Sequence, residues 1–288
     1  MSSMTETATT TIKGKTIPVS TFDTISLAQL ESGEPSAVKR LLAAAVSPGW
    51  FYLDLRNSSA GKTVLPNLPR IYQISDEYFM QPKESKERDV RKDQQPSQDR
   101  GYKTSACDET FEMARDEMVS GTIKWPGAMQ NLGDILKRFS GGCHEACQTI
   151  IARLSDALQL EQKQRFEQHH RDSQPSDSGL KLIYEPSLAK LSDVGDNLHT
   201  DSGTLTLLFY DKWGLSAYAP SQGFAFPAPL EDGCALINIG DSLQRLSENK
   251  LLSPKHRVSQ PVEGAEKRYY LSYFLRPEHA TKEAWSQA

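Results

Sequence analysis

The chain has 288 residues; 33 are Lys or Arg and 37 are Asp or Glu, which gives a formal net charge of −4. Because no basic cluster dominates, electrostatic capture of nucleic acid or of an anionic membrane surface is not indicated. No apolar run approaches the length of a membrane-spanning helix. Charge and hydropathy therefore argue against nucleic-acid-binding and membrane-embedded classes of protein.

The N-terminus and the cysteine content are typical of a protein from a reducing compartment. Residues 1–11 contain neither a basic region nor an apolar core, so they do not form a secretory signal, and we interpret residues 1–15 as a disordered tail. The cysteines are too few for a disulfide scaffold and are expected to be free thiols; they are Cys107, Cys143, Cys147 and Cys234. We therefore predict a cytoplasmic location.

Residues 16–288 are predicted to form one domain without internal repeats. The pattern predicts a strand around Ile17–Val19, a helix across Ala37–Ala45 and a second strand at Trp50–Leu53. The length permits one or two domains. Since no linker divides the core, and barrels decorated with helices often reach this size, we predict one domain.

Residues 83–100 are the most highly charged stretch, with eleven charged side chains in eighteen positions. Glu84–Arg88 and Glu87–Arg91 have the i,i+4 spacing of helical ion pairs. This pattern predicts a solvated helix followed by a loop rich in Gln, Pro and Ser. A mobile flap over an active site is the functional alternative.

A long helix is predicted for about residues 129–160, where apolar residues recur with helical periodicity. Cys143 and Cys147 lie four residues apart and share one face of this helix. They are interpreted as small apolar residues of the buried face. The alternative is a second metal site.

Two His-x-Asp sequences follow. With 37 acidic residues and six histidines in 288 residues, composition alone would place Asp or Glu two positions after a histidine about 0.8 times. His170 and Asp172 lie in the polar run 168–179, which is dense in turn-forming residues and is interpreted as a solvated loop. His199 and Asp201 instead lead into 203–210, a partly alternating, strand-like segment. Alternate strand residues share a face about 6.6 Å apart, so this pair can converge on one metal ion.

His256 is the candidate for a third metal ligand. It lies twelve residues before Arg268, which opens the most strand-like segment of the chain, 268–275. The alternative for His256 is a hydrogen-bonded surface or core histidine. Two imidazoles and one carboxylate on one face of an ion leave the opposite face open, which suits non-haem Fe(II) that activates O2. We therefore predict an iron site formed by His199, Asp201 and His256.

These motifs together resemble the isopenicillin N synthase-like branch of the Fe(II)/2-oxoglutarate-dependent oxygenases. The order is His-x-Asp, a distal His-Arg-Val and then an arginine at a strand start. The resemblance covers most of the chain and includes six further short segments: Ile17-Pro18-Val19, Gly49-Trp50-Phe51-Tyr52, Arg100-Gly101-Tyr102, Asn238-Ile239-Gly240-Asp241, Leu243-Gln244-Arg245-Leu246-Ser247 and Leu275-Arg276-Pro277.

The resemblance implies a mainly β fold with helices, built on a double-stranded β-helix, or jelly-roll, core of about residues 180–277 with flanking N-terminal helices. It implies that the three predicted ligands bind Fe(II) and that Arg268 pairs with the distal carboxylate of 2-oxoglutarate, with O2 as the second cosubstrate. A planar guanidinium can hold a carboxylate through two parallel hydrogen bonds. The alternative for Arg268 is a surface charge at a strand edge.

The chain departs from the family pattern at two positions. Tyr270 stands where the family usually has a serine two residues after the arginine, and its hydroxyl is a candidate contact for 2-oxoglutarate. Glu185 stands in Ile183-Tyr184-Glu185-Pro186, where relatives often have Asn-x-Tyr-Pro. Since two facing carboxylates repel, either Glu185 points elsewhere or 2-oxoglutarate binding is altered.

The resemblance implies an oxygenase that hydroxylates, desaturates or cyclises a small organic substrate in microbial, especially fungal, secondary metabolism. By family position, candidates for the pocket lining are Tyr102, Lys103, Phe209, Tyr210, Asn238 and Arg276, and structural roles explain each of them equally well. Two other functions remain open. One is a 2-oxoglutarate-independent Fe(II) oxidase of the same fold, motivated by Tyr270 and Glu185. The other is a non-catalytic binding protein that retains its metal for structure.

Overall fold

The computed structural model describes residues 8–95, 98–105, 108–186, 198–258 and 267–287. These residues form two β-sheets with helices packed outside. The strands are β1 (Ala8–Ile12), β2 (Lys15–Ser20), β3 (Thr24–Ser26), β4 (Trp50–Asp54), β5 (Gly101–Thr104), β6 (Glu109–Ala114), β7 (Gly179–Pro186), β8 (Leu205–Tyr210), β9 (Leu215–Ala219), β10 (Gly223–Pro227), β11 (Cys234–Ile239), β12 (His256–Val258) and β13 (Lys267–Leu275).

The helices flank the sheets and lie mostly in the N-terminal half. They are α1 (Leu27–Glu31), α2 (Pro35–Val46), α3 (Ser59–Val64), α4 (Leu68–Phe79), α5 (Lys83–Lys86), α6 (Arg115–Ser120), α7 (Gly133–Ala157), α8 (Asp241–Leu246) and α9 (His279–Ser286). Short 3-10 turns cover Glu87–Asp89, Gly127–Met129 and Phe166–His169. In the described part of the chain, no helix combines the length and the apolar character that crossing a bilayer requires.

The two sheets form the double-stranded β-helix that the sequence resemblance implied. The smaller sheet has the order β1-β2-β10-β9-β12 and the larger has β3-β4-β11-β8-β13-β7-β6-β5. Strands β8 and β11 lie inside the larger sheet and are buried along their whole length. Burial on both faces explains why they are almost continuously apolar. The predicted strands at 17–19, 50–53, 203–210 and 268–275 are confirmed with small shifts of their ends.

The long helix α7 supports the larger sheet. It packs against α1, α2 and α3 and contacts β8 and β13. Cys143 and Cys147 are completely buried free thiols on its inner face, so their interpretation as small apolar core residues is confirmed. Cys234 is also a buried free thiol, whereas Cys107 lies outside the described residues. The helix predicted across 37–45 is confirmed as part of α2.

Residues 8–15 belong to a β-hairpin, so the prediction of a disordered tail through residue 15 is wrong there; residues 1–7 lie outside the described part. Strands β1 and β2 pair antiparallel around Lys13 and Gly14, which have φ angles of 47° and 76°. Positive φ at both central residues is what a tight hairpin turn requires. Strand β2 also pairs with β10, which joins the hairpin to the smaller sheet.

The charged stretch that begins at residue 83 contains less helix and more burial than its sequence predicted. Helix α5 ends at Lys86, and Glu87 pairs with Lys83 at 3.6 Å. Arg91 contacts Glu117 at 3.0 Å. The side chain of Lys86 is only 5% exposed and forms an ion pair with Glu109. The predicted solvated helix is therefore confirmed only for the exposed residues of the short helix α5. It is wrong for Lys86 and Arg91, whose charges have partners in the body of the protein.

The loop predicted for 168–179 is mostly irregular, but His170 is buried and not solvated. Its Nδ1 lies 2.7 Å from the carbonyl oxygen of Phe166, and its Nε2 lies 2.6 Å from the hydroxyl of Thr204. Asp172 keeps its exposure and pairs with Arg115 at 2.8 Å. His170 therefore fixes the loop to the residue that precedes β8.

Candidate active site

His199 and His256 face each other across an isolated antiparallel bridge. The N–H of His199 donates to the carbonyl of His256 at 3.0 Å, and the N–H of His256 donates back at 2.9 Å. Their ring centroids are 4.3 Å apart. A pair of reciprocal backbone hydrogen bonds thus holds together two histidines separated by more than fifty residues.

Asp201 completes the cluster. Its Oδ1 lies 3.8 Å from Nε2 of His199 and 3.6 Å from Nε2 of His256. One donor atom from each of the three residues lies within 4.8 Å of the others. Donors about 2 Å from a common ion lie roughly 3 to 4 Å apart, so small side-chain rotations would bring these atoms to binding distance. The three residues predicted from the sequence are therefore close enough together to hold a single metal ion.

The Asp201 carboxylate is oriented by two polar side chains. Its Oδ2 accepts hydrogen bonds from the Thr206 hydroxyl at 2.5 Å and from Nδ2 of Asn238 at 2.9 Å. Burial raises the pKa of Asp201, but His256 and these two hydrogen bonds outweigh burial, so the pKa lies below its usual range. The carboxylate is thus ionised, with Oδ2 engaged and Oδ1 directed to the histidines.

The loop that carries Asp201 is held against the turn between β11 and α8. The N–H of Asp241 donates to the carbonyl of Asp201 at 2.7 Å. The Asp241 carboxylate accepts a hydrogen bond from the Thr200 hydroxyl at 2.9 Å. A Cβ atom at Gly240 would lie 2.2 Å from the carbonyl oxygen of Gly203, so this approach needs glycine. These contacts give Gly240 and Asp241 of the Asn-Ile-Gly-Asp segment a structural role beside the site.

His256 is presented in a form suited to metal binding. Burial lowers its pKa, although Asp201 opposes this, and the ring is therefore neutral near pH 7. Its Nδ1 lies 3.3 Å from the carbonyl oxygen of Pro254, which can only accept, so Nδ1 carries the proton and Nε2 keeps its lone pair. The indole of Trp50 packs edge-on against the imidazole, with centroids 5.4 Å apart.

The cluster opens onto a cavity of about 370 Å³. His199 is the outer ligand, with about half of its side chain exposed, whereas Asp201 and His256 are largely buried. The cavity is lined by an apolar wall and by a charged wall. The apolar wall includes Trp50, Ile183, Leu208 and Leu215. Such a volume suits a small molecule that approaches the open face of the site.

Arg268 lies on β13, deep beside this cavity, with only 2% of its surface exposed. It is the direct cross-strand partner of Glu185 on β7, and its Nη2 lies 2.8 Å from Oε2 of Glu185. Its Nη1 donates to the Tyr270 hydroxyl at 3.4 Å. A Cβ atom at Gly214 would lie 1.8 Å from Nη1, so the backbone there packs directly on the guanidinium. The alternative of a surface charge for Arg268 is therefore wrong.

The side chain of Glu185 points at Arg268. Of the two possibilities that the sequence left open, the one in which Glu185 points elsewhere is therefore wrong. Burial raises the pKa of Glu185 to about 7; the charge of Arg268 opposes this rise and that of Asp108 adds to it. The chain thus supplies its own carboxyl group to the arginine.

The charged wall of the cavity consists of paired groups. Lys181 contacts Asp99 at 2.8 Å, and Arg276 forms an ion pair with Glu112. Both cations also lie over the ring of Phe274, at 5.7 and 4.7 Å from its centroid. Of the six candidates for the pocket lining, Asn238 and Arg276 do line this cavity.

The sequence did not assign the roles of Thr206 and Asn238 in orienting Asp201. Asn238 lies in β11, where all six residues are buried. A polar amide in an otherwise apolar, buried strand needs a hydrogen-bond partner. The position of Asn238 in the sequence was therefore the signal that could have indicated its role. The second His-x-Asp pair does not join the cluster, because His170 contacts Phe166 and Thr204.

Comparisons with known proteins point to one family. Residues 167–277 match the model of the 2OG-Fe(II) oxygenase superfamily. The 2-oxoglutarate-dependent dioxygenase gloE of Glarea lozoyensis is 34% identical over 89% of this chain and 80% of its own length. A 2-oxoglutarate-dependent dioxygenase of Gibberella zeae is 32% identical over 91% of this chain and 81% of its own.

A solved structure shows the same fold. Full-length T7H of Neurospora crassa, in complex with alpha-KG and 5-formyluracil, superposes with a TM-score of 0.75. The match covers 94% of this chain and 87% of the other, with 22% sequence identity. At that identity the likeness establishes the jelly-roll fold alone.

Proposed function

The chain belongs to the 2OG-Fe(II) oxygenase superfamily, and on this premise we propose that His199, Asp201 and His256 bind the iron and that Arg268 and Tyr270 bind 2-oxoglutarate. The protein is an Fe(II)/2-oxoglutarate-dependent dioxygenase. The observation that carries the residue assignment is the convergence of three donor atoms within 4.8 Å of one another beside an open cavity.

The three proposed ligands offer different donor atoms to the metal. Neutral His256 and the half-exposed His199 offer nitrogen atoms, and ionised Asp201 offers one oxygen. Bound Fe(II) supplies the redox chemistry that couples decarboxylation of 2-oxoglutarate to oxidation of a substrate by O2. Because Thr206 and Asn238 hold the second carboxylate oxygen, the Asp201 side chain is oriented before the metal arrives.

The proposed role of Arg268 is to hold the distal carboxylate of 2-oxoglutarate. Its guanidinium is buried, positioned by Gly214 and Tyr270, and within reach of the cavity that the metal ligands line. Tyr270 also lines the cavity and can donate its hydroxyl proton to the same carboxylate. Because Arg268 and Tyr270 are buried, water is excluded around them, and a charge-assisted hydrogen bond to the carboxylate is stronger there.

We propose a small organic molecule as the substrate and hydroxylation, desaturation or ring closure as the outcome. A cavity of about 370 Å³ is of the size that encloses small ligands. Several relatives are fungal 2-oxoglutarate-dependent dioxygenases, which supports a place in fungal secondary metabolism. The buried free thiols of Cys143, Cys147 and Cys234 support a cytoplasmic enzyme. We propose a single domain that extends the predicted range 16–288 to include the hairpin at residues 8–15, which joins the smaller sheet.

Succinate formation tests the assignment of Arg268. The Fe(II) enzyme is incubated with 2-oxoglutarate and O2, with succinate and O2 consumption measured together, and Arg268→Ala is compared with the wild type. We expect succinate formation to be lost in Arg268→Ala and retained in Arg245→Ala, which removes a surface arginine that stacks on Trp285. Consumption of O2 without succinate would instead favour the 2-oxoglutarate-independent oxidase.

A further inference from the structure

Glu185 lines the cavity and also contacts Arg268. Glu185 and Tyr270 line the cavity, but Arg268 is not among the described residues that do so. Glu185 Oε2 is 2.8 Å from Nη2 of the arginine, and both side chains are almost fully buried. A carboxylate that reaches Arg268 from the cavity therefore meets a second carboxyl group at the same guanidinium.

Within the part of the chain that the structure describes, the cation in contact with Glu185 is Arg268. Its strand, β13, also contributes the Tyr270 hydroxyl, and Asp108 lies on the other side, directly before β6. Lys181, farther along the same strand as Glu185, pairs with Asp99. A bound cosubstrate would thus place its carboxylate beside those of Glu185 and Asp108. Like charges in a buried site raise the free energy of the state in which all are ionised.

Resting on the proposed function, we propose that Glu185 is neutral when 2-oxoglutarate binds: its carboxyl group takes up one proton from solvent and donates a hydrogen bond to the distal carboxylate, which Arg268 also binds. The O–H bond that forms on Glu185 replaces one broken in a hydronium ion or buffer acid, and nothing is oxidised or reduced. Burial can keep a carboxylic acid neutral so that it acts as a donor, and two adjacent carboxyl groups commonly share one proton. Glu185 would then be a positioning and specificity residue for the cosubstrate.

The free protein is poised for this proton uptake. Burial raises the pKa of Glu185 to about 7, so protonation near neutral pH needs little free energy. Above that pH, free Glu185 is ionised and binding consumes a proton. The dissociation constant of 2-oxoglutarate should therefore rise about tenfold per pH unit above about pH 7 and stay nearly constant below it.

Calorimetry measures the proton directly. The anaerobic Fe(II) enzyme is titrated with 2-oxoglutarate at pH 8 in two buffers of different ionisation enthalpy, and the difference in binding heat gives the number of protons taken up. We expect about 0.9 of a proton for the wild type from a pKa of about 7. In Glu185→Gln we expect almost none, because the amide donates a hydrogen bond without titrating, and the affinity should be independent of pH.

Asp99→Asn is the matched control, because it removes another carboxylate of the same cavity. Lys181 and Lys103 outweigh burial and lower the pKa of Asp99 to about 2, so this group stays ionised in free and bound enzyme. We expect its proton uptake to equal that of the wild type.

Asp108→Asn is a second test that keeps Glu185 in place. Asp108 contributes to the raised pKa of Glu185, so its neutralisation should move the onset of the pH dependence to lower pH. Equal proton uptake by the wild type and Glu185→Gln, or binding by the wild type that does not vary with pH, would overturn this inference alone. Absence of 2-oxoglutarate binding by the wild type at every pH would overturn the proposed function as well.

Discussion

His199 and His256 exchange two backbone hydrogen bonds, of 3.0 and 2.9 Å, so the main chain itself sets the distance between the proposed metal ligands. The bridge links the segment before β8 in the larger sheet to β12 in the smaller sheet. The proposed metal site therefore lies where the two sheets of the jelly roll meet, and its geometry follows from strand pairing as well as from the side chains.

Substitution of His256 should remove metal binding without removing the fold. In His256→Ala the backbone bridge can persist, but one of three donors is lost, and we expect bound Fe(II) to fall from one per chain to about none. His279→Ala, which removes a histidine that contacts Asp177, should bind iron normally. Anaerobic Fe(II) titration with circular dichroism as the check of folding measures both; full iron binding by His256→Ala would disprove its assignment.

Asn238→Ala tests the orientation of Asp201. The variant removes the donor that lies 2.9 Å from Oδ2, and we expect Fe(II) affinity to fall about 10- to 100-fold, as for other groups that support a metal ligand. Asn67→Ala is the control, since that amide donates to the carbonyl of Thr63. Equal iron affinities in the two variants would mean that Asn238 does not position the ligand.

Gly214→Ala should weaken 2-oxoglutarate binding while leaving iron binding intact. The added Cβ would lie 1.8 Å from Nη1 of Arg268 and 2.8 Å from the Tyr270 hydroxyl, so both side chains must move. We expect the dissociation constant to rise about tenfold, or about 1.4 kcal/mol. Gly141→Ala meets no atom within 4 Å and is the control. Unchanged cosubstrate affinity in Gly214→Ala would argue against Arg268 as the binding group.

His170 should make stability depend on pH. Burial lowers its pKa to about 4, compared with a value near 6.5 in the unfolded chain. Between these values the unfolded state binds more protons, so the contribution is complete above about pH 6.5 and is lost as pH falls towards 4. Between pH 7 and pH 4.5 the free energy of unfolding of the wild type should fall by about 2 kcal/mol more than that of His170→Gln. Denaturant unfolding at both pH values measures this, and parallel losses would contradict it.

The cluster of His199, Asp201 and His256 could be predicted from the sequence, because local pattern and order in the chain were sufficient. His199 and Asp201 precede an apolar strand, and His256 precedes the strand that begins near Arg268. The convergence of such segments is a property of the fold that the motif order implied. The N-terminal hairpin could also have been predicted from the sequence, because the Thr-rich residues 8–12 favour a strand, and Lys13 and Gly14 favour a turn.

Contacts between distant segments were not predictable in the same way. His170 was assigned to solvent from its polar neighbours, but Thr204 and Phe166 bury it. The contact of Glu185 with Arg268 depends on the register between β7 and β13, and a one-residue shift would have placed the carboxylate on the opposite face of the sheet. Sequence pattern fixes neither register nor long-range burial.

In the proposed site, iron at His199, Asp201 and His256 binds 2-oxoglutarate, and Arg268 holds the distal end of that cosubstrate. Anaerobic titration of the Fe(II) protein with 2-oxoglutarate, followed by visible absorption, examines both parts of this assignment at once. We predict a saturable charge-transfer band for the wild type, no band for His256→Ala, and a band that requires at least tenfold more 2-oxoglutarate for Arg268→Ala. An iron-loaded wild type that gives no band at any 2-oxoglutarate concentration, or an Arg268→Ala titration that overlays the wild type, would contradict the account.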